Sequence, residues 1–234
     1  MKPTDATTGA TITAPRSGEE IRAYLVGRLN AALPRPEMFG GEIALRTLID
    51  HLAFVDNREQ AWGDENEALR ASGAFQATGV IGGFALMLPD HRDQKAAASV
   101  YAEFAHRNGW LELDRALTPE EYQALLGEVP GWCSENKWFT DVVESFGPPS
   151  LLIGGTNPQF PKTLGYATER PGDPMVFFHL WNGTRPGNPP GGAPMYGQPV
   201  VMAVRRADGG DGPFSDTFTF TPEGAHRRPP PQEY

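Results

Sequence analysis

Cys133 and His179 are the two side chains whose residue type and surroundings suit covalent or acid–base chemistry. A thiolate nucleophile needs an adjacent base and an electropositive, partly exposed setting. Cys133 stands between Trp132 and Ser134 at what reads as a helix start, where backbone N–H groups favour a thiolate. His179 lies within Phe177, Phe178, Leu180 and Trp181 on a segment of strand type, and a histidine there can act as a general base. No acid neighbours it to orient the ring, so a carboxylate such as Glu144 or Glu169 would have to arrive through the fold. Both residues also have plain structural roles. A small thiol beside Trp132 and Trp138 suits a core, and a histidine among aromatic residues suits a hydrogen-bonded interior position.

Other reaction classes find less support. No serine sits in a Gly-x-Ser-x-Gly elbow. Gly79-Val80-Ile81-Gly82-Gly83 and Gly154-Gly155-Thr156 are Gly-rich but lack both the Walker lysine and the six-residue dinucleotide pattern. His51, His91, His106, His179 and His226 have no paired spacing of the zinc type, and one cysteine gives no Cys-rich metal centre. Neither a metal nor a cofactor is expected.

The strongest electrostatic feature is the run Asp56, Glu59, Asp64, Glu65 and Glu67, relieved only by Arg58. Such a run is often a solvated helix face. It also makes a docking surface, because a concentrated negative field repels nucleic-acid phosphates and steers a basic partner inward. A second expected contact is the stretch 183–199, which holds five Pro and five Gly around Met195 and Tyr196. That is too long for a tight hairpin, and structureless loops of this length are commonly functional.

These residues must be positioned by elements the sequence marks out. Residues 1–16, rich in Thr, Ala and Pro, read as a disordered arm. Ser17 and Glu20 form a capping box ahead of Ile21, Leu25, Leu29 and Leu33, and Pro34 stops that helix. A second helix begins near Gly41 with Leu45, Leu48, Ile49, Leu52 and Val55 as its stripe, and the acidic segment 56–67 is its natural continuation. The apolar stretch Thr78–Leu88, with three glycines, predicts a buried strand. Asp90 is placed to cap a helix ending at Asn108-Gly109. A short strand at Trp110–Leu113 follows, then a capped helix from Thr118 to about Leu126, and a last helix from Ser134 to Gly147.

Past Gly147-Pro148-Pro149 the period changes to two. Strands are expected at 150–153, 163–168, 175–181, 200–206 and 217–221, separated by turn residues. The composition changes at the same place. Thirteen basic and 22 acidic residues precede Pro148, and seven of each follow it; seven prolines precede that point and 16 lie from Pro148 on. The fold class is therefore α+β: N-terminal helices packed on a C-terminal, mostly antiparallel five-stranded meander. Residues 17–221 form a single domain, helical over 17–147 and sheet over 148–221, and 222–234 are a polar, Pro-rich tail.

At 234 residues and net charge −9, the chain is long enough for a sizeable core. The lone Cys133 excludes an internal disulfide framework. No stretch has the apolar length of a membrane helix, and the start lacks a signal-peptide pattern, so a soluble, cytoplasmic protein is expected. Arg outnumbers Lys 16 to 4, a hint of a GC-rich bacterial source. At this coarse level the plan resembles bacterial immunity or inhibitor proteins. The expected function is a non-catalytic protein-binding module of that kind, which captures a basic partner such as a toxin through Asp56, Glu59, Asp64, Glu65 and Glu67 together with Met195 and Tyr196. The alternative is a hydrolase or transferase built on His179 or Cys133 with a carboxylate assembled in the fold.

Overall fold

Ser17 and Glu20 cap each other as their spacing implies: Ser17 Oγ accepts from the Glu20 N–H at 3.2 Å, and the Glu20 carboxylate accepts from the Ser17 N–H at 2.8 Å. The computed structural model describes residues 17–90, 93–189, 192–206 and 212–230. The expected arm at 1–16 and the end of the expected tail at 231–234 lie outside them. Helices run at α1 (Gly18–Ala32), α2 (Gly41–Val55), α3 (Glu59–Ala71), α4 (Val80–Ala85), α5 (Gln94–Arg107), α6 (Pro119–Trp132), α7 (Phe139–Phe146) and α8 (Pro222–Arg227). Strands run at β1 (Leu151–Ile153), β2 (Lys162–Tyr166), β3 (Val176–Trp181), β4 (Val200–Arg206) and β5 (Phe218–Phe220).

The five strands lie in the sheet in chain order, and every pairing is antiparallel. This is the α+β meander that the change of period implies. The register slips once, between His179 and Leu180, which pair with Ala203 and Val201 and leave Met202 as an extra residue on β4. Helices coat both faces. Leu29, Leu45, Ile49, Leu52, Phe84 and Phe104 close one face over Ile153, Phe177 and Met202; Tyr122, Leu125, Val129 and Val142 close the other over Leu164, Tyr166, Phe178 and Val204. Among the described residues no helix is long and apolar enough to cross a membrane.

Several local expectations change. Thr78–Leu88 is not a strand. Its centre is the helix α4, whose start is held by the buried Glu42 carboxylate, accepting from the N–H groups of Val80 (2.6 Å) and Ile81 (2.9 Å). Gly83 serves the packing of that helix, since a Cβ there would overlap the Ala74 carbonyl. Trp110–Leu113 is also not a strand. The Asn30 side chain takes the backbone groups a neighbouring strand would have paired, donating to Trp110 O at 2.7 Å and accepting from Glu112 N at 2.8 Å. Asp93 caps α5, accepting from Lys95 N at 3.0 Å and Ala96 N at 3.1 Å, in place of Asp90.

α6 runs on past Leu126 to Trp132 despite Pro130, and the next helix opens at Phe139, later than Ser134. The segment 222–227, expected as tail, is α8. Thr221 both caps it, accepting from Gly224 N at 3.2 Å, and ties it to β4, donating to Val201 O at 2.6 Å.

Candidate functional site

The acidic run divides into acids that the molecule uses itself and acids that it leaves outside. α2 stops at Val55, and Asn57, in the left-handed region at φ +55°, turns the chain into a separate helix α3. Asp56 sits at that corner. Its carboxylate accepts from Arg22 Nε at 2.8 and 3.0 Å and from Trp110 Nε1 at 2.7 Å. Burial pushes its pKa up, but the Arg22 and Trp110 hydrogen bonds and the Arg22 charge outweigh that and leave it below the ordinary aspartate value. Glu65 is similarly engaged, 2.7 Å from Arg107 Nη2 on α5. Glu59, Asp64 and Glu67 are exposed. At about 100° per residue Asp64 and Glu67 lie on the side of α3 turned away from the buried Trp62 and Asn66, whereas Glu59, exposed at the first residue of the helix, lies close to that buried stripe. Asp64 accepts from Gln60 Nε2 at 2.7 Å, a bond on the exposed side.

The chain ahead of α3 carries a feature that the sequence pattern did not single out. α2 packs against both α1 and α3. Its inner stripe of Leu45, Ile49 and Leu52 is fully buried, and its outer stripe carries Ile43 and Phe54, 79% and 71% exposed. Tyr24 on α1 is 58% exposed, and Met38, in the 3-10 turn before α2, is 73% exposed. Ile21 completes the set, so five of the six large apolar side chains exposed among the described residues fall between residues 21 and 54. Exposed apolar groups gathered on one layer mark an interaction surface more strongly than scattered ones. For Tyr24, Ile43 and Phe54 the signal was in the sequence as apolar residues off the core stripe of α1 and α2, but burial is needed to read it; Ile21, expected on the apolar face of α1 with Leu25, Leu29 and Leu33, is instead 40% exposed.

Met195 and Tyr196 do not stand out from the surface as expected. Both are half-buried. Tyr196 Oη donates to Glu223 Oε1 at 2.7 Å and accepts from Arg227 Nη2 at 3.0 Å, and its ring meets Trp138 edge-on at 5.2 Å. Arg227 also pairs with Glu223, reaches Met195 Sδ at 3.4 Å and stacks over Trp181 at 4.8 Å. These residues fasten the base of the 183–199 loop to α8. Among the described residues of that loop, 185–189, Gly192, Ala193 and Gly197 are exposed.

The fold places the residues named for the catalytic alternative apart from one another. Cys133 caps the C-terminal end of α6, where the helix dipole disfavours a thiolate, and burial pushes its pKa up to about 11. It belongs to the core on one face of the sheet, while His179 packs against Phe84 and Phe218 of the core on the other. His179 is fully enclosed, its Nδ1 3.1 Å from Thr163 Oγ1 and its Nε2 without a hydrogen-bond partner. Burial, and then the Arg205 charge, hold its pKa well below the usual histidine value. Glu144 and Glu169 are exposed and bond to neither residue.

Three buried ionic groups escaped sequence reasoning. Glu42 also accepts from Tyr101 Oη at 2.8 Å. Arg205 meets Glu103 at 3.2 Å beneath α5, with Phe177 5.0 Å from the guanidinium. Among the described residues no acid pairs with Lys162: its ammonium donates to Asn157 O at 2.7 Å and Gly155 O at 3.3 Å and lies 4.7 Å from the centre of the Phe139 ring, and burial lowers its pKa. The partners of Glu42 and Arg205 lie on distant elements, and Lys162 is held by backbone carbonyls of the loop before β2 and by the Phe139 ring, so side-chain spacing could not reveal them. Among the described residues no group of three or more His, Cys, Asp or Glu is gathered to hold a metal ion. No protein-family model matches the chain, and no curated protein or solved structure matches it significantly.

Proposed function

We propose that the protein is a non-catalytic binding module whose docking surface is the outer side of the α1–α2–α3 layer, and that its partner is a basic protein. The observation that carries this reading is that exposed apolar residues and unspent acids stand on two helices, α2 and α3, that pack against each other. Ile43 and Phe54 face solvent on α2, and Glu59, Asp64 and Glu67 face it on α3. Protein interfaces combine an apolar centre with a polar or charged rim, and the rim charge selects the partner by sign and speeds its approach. A chain of net charge −9 with three acids along that rim favours a basic protein and repels nucleic acid. The role is then that of an inhibitor or immunity-type protein, and the single thiol, without a disulfide, suits the reducing bacterial cytoplasm.

The test uses the full chain immobilised in extract of its source cell, with contacts mapped by cross-linking mass spectrometry. The expected outcome is a basic protein cross-linked to the α1–α3 layer. Its retention falls at least ten-fold in the combined variant Glu59→Lys, Asp64→Lys, Glu67→Lys at low salt, and less at high salt, because surface attraction is screened. Phe54→Glu lowers it at both salt concentrations. Retention unchanged by both variants, or cross-links confined to other faces, overturns the proposal.

A further inference from the structure

α6 and α7 coat the sheet face opposite the one that Leu29, Leu45 and Ile49 close, and between them lies a cavity of about 250 Å³. One wall is the α6 stripe Glu121, Ala124, Leu125 and Glu128, whose spacing puts all four on one face of the helix. The end of α7 faces it with Ser145, Phe146 and Gly147, and Arg115 and Leu117 complete the lining ahead of α6. Leu117 and Leu125 are buried, and the Phe146 ring packs on Trp132 at 5.4 Å and Phe178 at 5.3 Å, so the apolar part of the lining is fixed by the core.

The charged groups stand apart along α6. Arg115 Nη2 donates to Glu121 Oε1 at 2.9 Å, while Glu121 Oε2 accepts from Thr118 N at 2.8 Å. Glu121 is therefore spent on holding the guanidinium and the start of the helix. Gly147, at φ +75°, leaves that guanidinium its room, since a Cβ there would lie 2.6 Å from Arg115 Nη1. The other N–H groups of Arg115 have no acceptor among the described residues. Two turns farther along α6, Glu128 is exposed and has neither a hydrogen bond nor an ion pair among the described residues. Ser145 Oγ accepts from Trp132 Nε1 at 3.0 Å, which leaves its own hydrogen to donate.

A ligand of one sign would answer only one end, so the lining selects a molecule that carries both. The spacing sets its length. The seven residues from Glu121 to Glu128 rise about 10 Å. An α-amino acid, whose two charges share one carbon, is too short for that span. A dipeptide has Cα atoms about 3.8 Å apart with a charged group beyond each, and it reaches both ends with hydrogen bonds of about 2.8 Å.

We infer that this cavity binds a zwitterionic dipeptide with apolar side chains, its carboxylate on Arg115 and its ammonium on Glu128. No residue of the α1–α3 surface takes part, so either reading stands or falls alone.

Isothermal titration calorimetry of the full chain with leucyl-leucine tests the inference. The expected result is one saturable site at millimolar peptide or below. Affinity falls about ten-fold for leucyl-leucinamide, which lacks the carboxylate, and about three-fold for N-acetyl-leucyl-leucine, which lacks the ammonium and so loses only the more exposed partner. Leucine alone binds at least ten-fold more weakly. Glu128→Gln no longer separates the acetylated peptide from the free one, and Arg115→Gln no longer separates the amidated one. Circular dichroism shows whether each variant keeps its fold; should either not fold, the ligand series on the unaltered chain decides. No saturable binding of leucyl-leucine, equal binding of leucine, capped peptides that bind as well as the free one, or folded variants that still separate them overturns the inference.

Discussion

Arg22 on α1 holds Asp56 at the end of α2 through both carboxylate oxygens, Nε lying 2.8 Å from Oδ1 and 3.0 Å from Oδ2. The first acid of the 56–67 run therefore clamps two helices together. Asp56→Ala should cost about 1–3 kcal/mol, because it strips partners from both Arg22 and Trp110. Urea denaturation at pH 7 measures the loss. Since the folded-state pKa is depressed, this contribution is present above the ordinary aspartate value near 3.8 and is lost as pH falls through the lower folded value. The variant should show a shallower decline in stability on acidification.

Glu65 and Glu67 are neighbours in sequence but not in consequence. Glu65 faces Arg107 at 2.7 Å, so Glu65→Lys puts two cations together and should destabilise by about 1 kcal/mol. Glu67 is exposed, and Glu67→Lys should stay within about 0.5 kcal/mol of wild type. Thermal midpoints of the two single variants, taken in the same buffer, check the difference.

His179 predicts an acid response in a different range. Its folded pKa lies well below 6.5, so the unfolded chain takes up a proton first as pH falls. The stability tied to its neutral form is complete above pH 6.5 and erodes below it, toward the lowered folded value. His106, also depressed by burial, adds to the same slope. His179→Phe should reduce the slope between pH 7 and 5 while lowering stability at pH 7, because Thr163 Oγ1 loses its partner. Denaturant midpoints across that interval decide it. An unchanged slope would sink the assignment.

Glu42 is the carboxylate on which α4 depends. Glu42→Ala removes the acceptor for Val80 N, Ile81 N and Tyr101 Oη and should cost roughly 3 kcal/mol. Amide hydrogen exchange at Val80 and Ile81 should speed up more than exchange within β3. Glu42→Gln, which keeps an oxygen at that place, should do less damage.

The parts of the fold legible in the sequence are those governed by neighbours along the chain. Ser17 with Glu20, Thr118 with Glu121, and the alternation through β3 and β4 each report a local rule, and each element formed where its rule pointed. Thr78–Leu88 was illegible because its partner is Glu42, about forty positions upstream, and nothing nearby distinguishes a strand's glycines from a helix's. The candidate site was half legible. The charges of the acidic run are plain in the sequence, but Arg22 and Arg107, which claim two of them, arrive from other helices. Tyr196 was singled out within its loop, yet Glu223, expected in a tail, is what turns its hydroxyl inward.

The order of synthesis meets an awkward circumstance in the two-sided coating of the sheet. Seven of the eight described helices leave the ribosome before the first strand, so both apolar coats exist before there is anything to coat. Until roughly the last third of the chain has emerged, Leu45, Ile49, Leu125 and Val142 have no sheet to cover, and the nascent protein is a client for any chaperone that grips bare hydrocarbon.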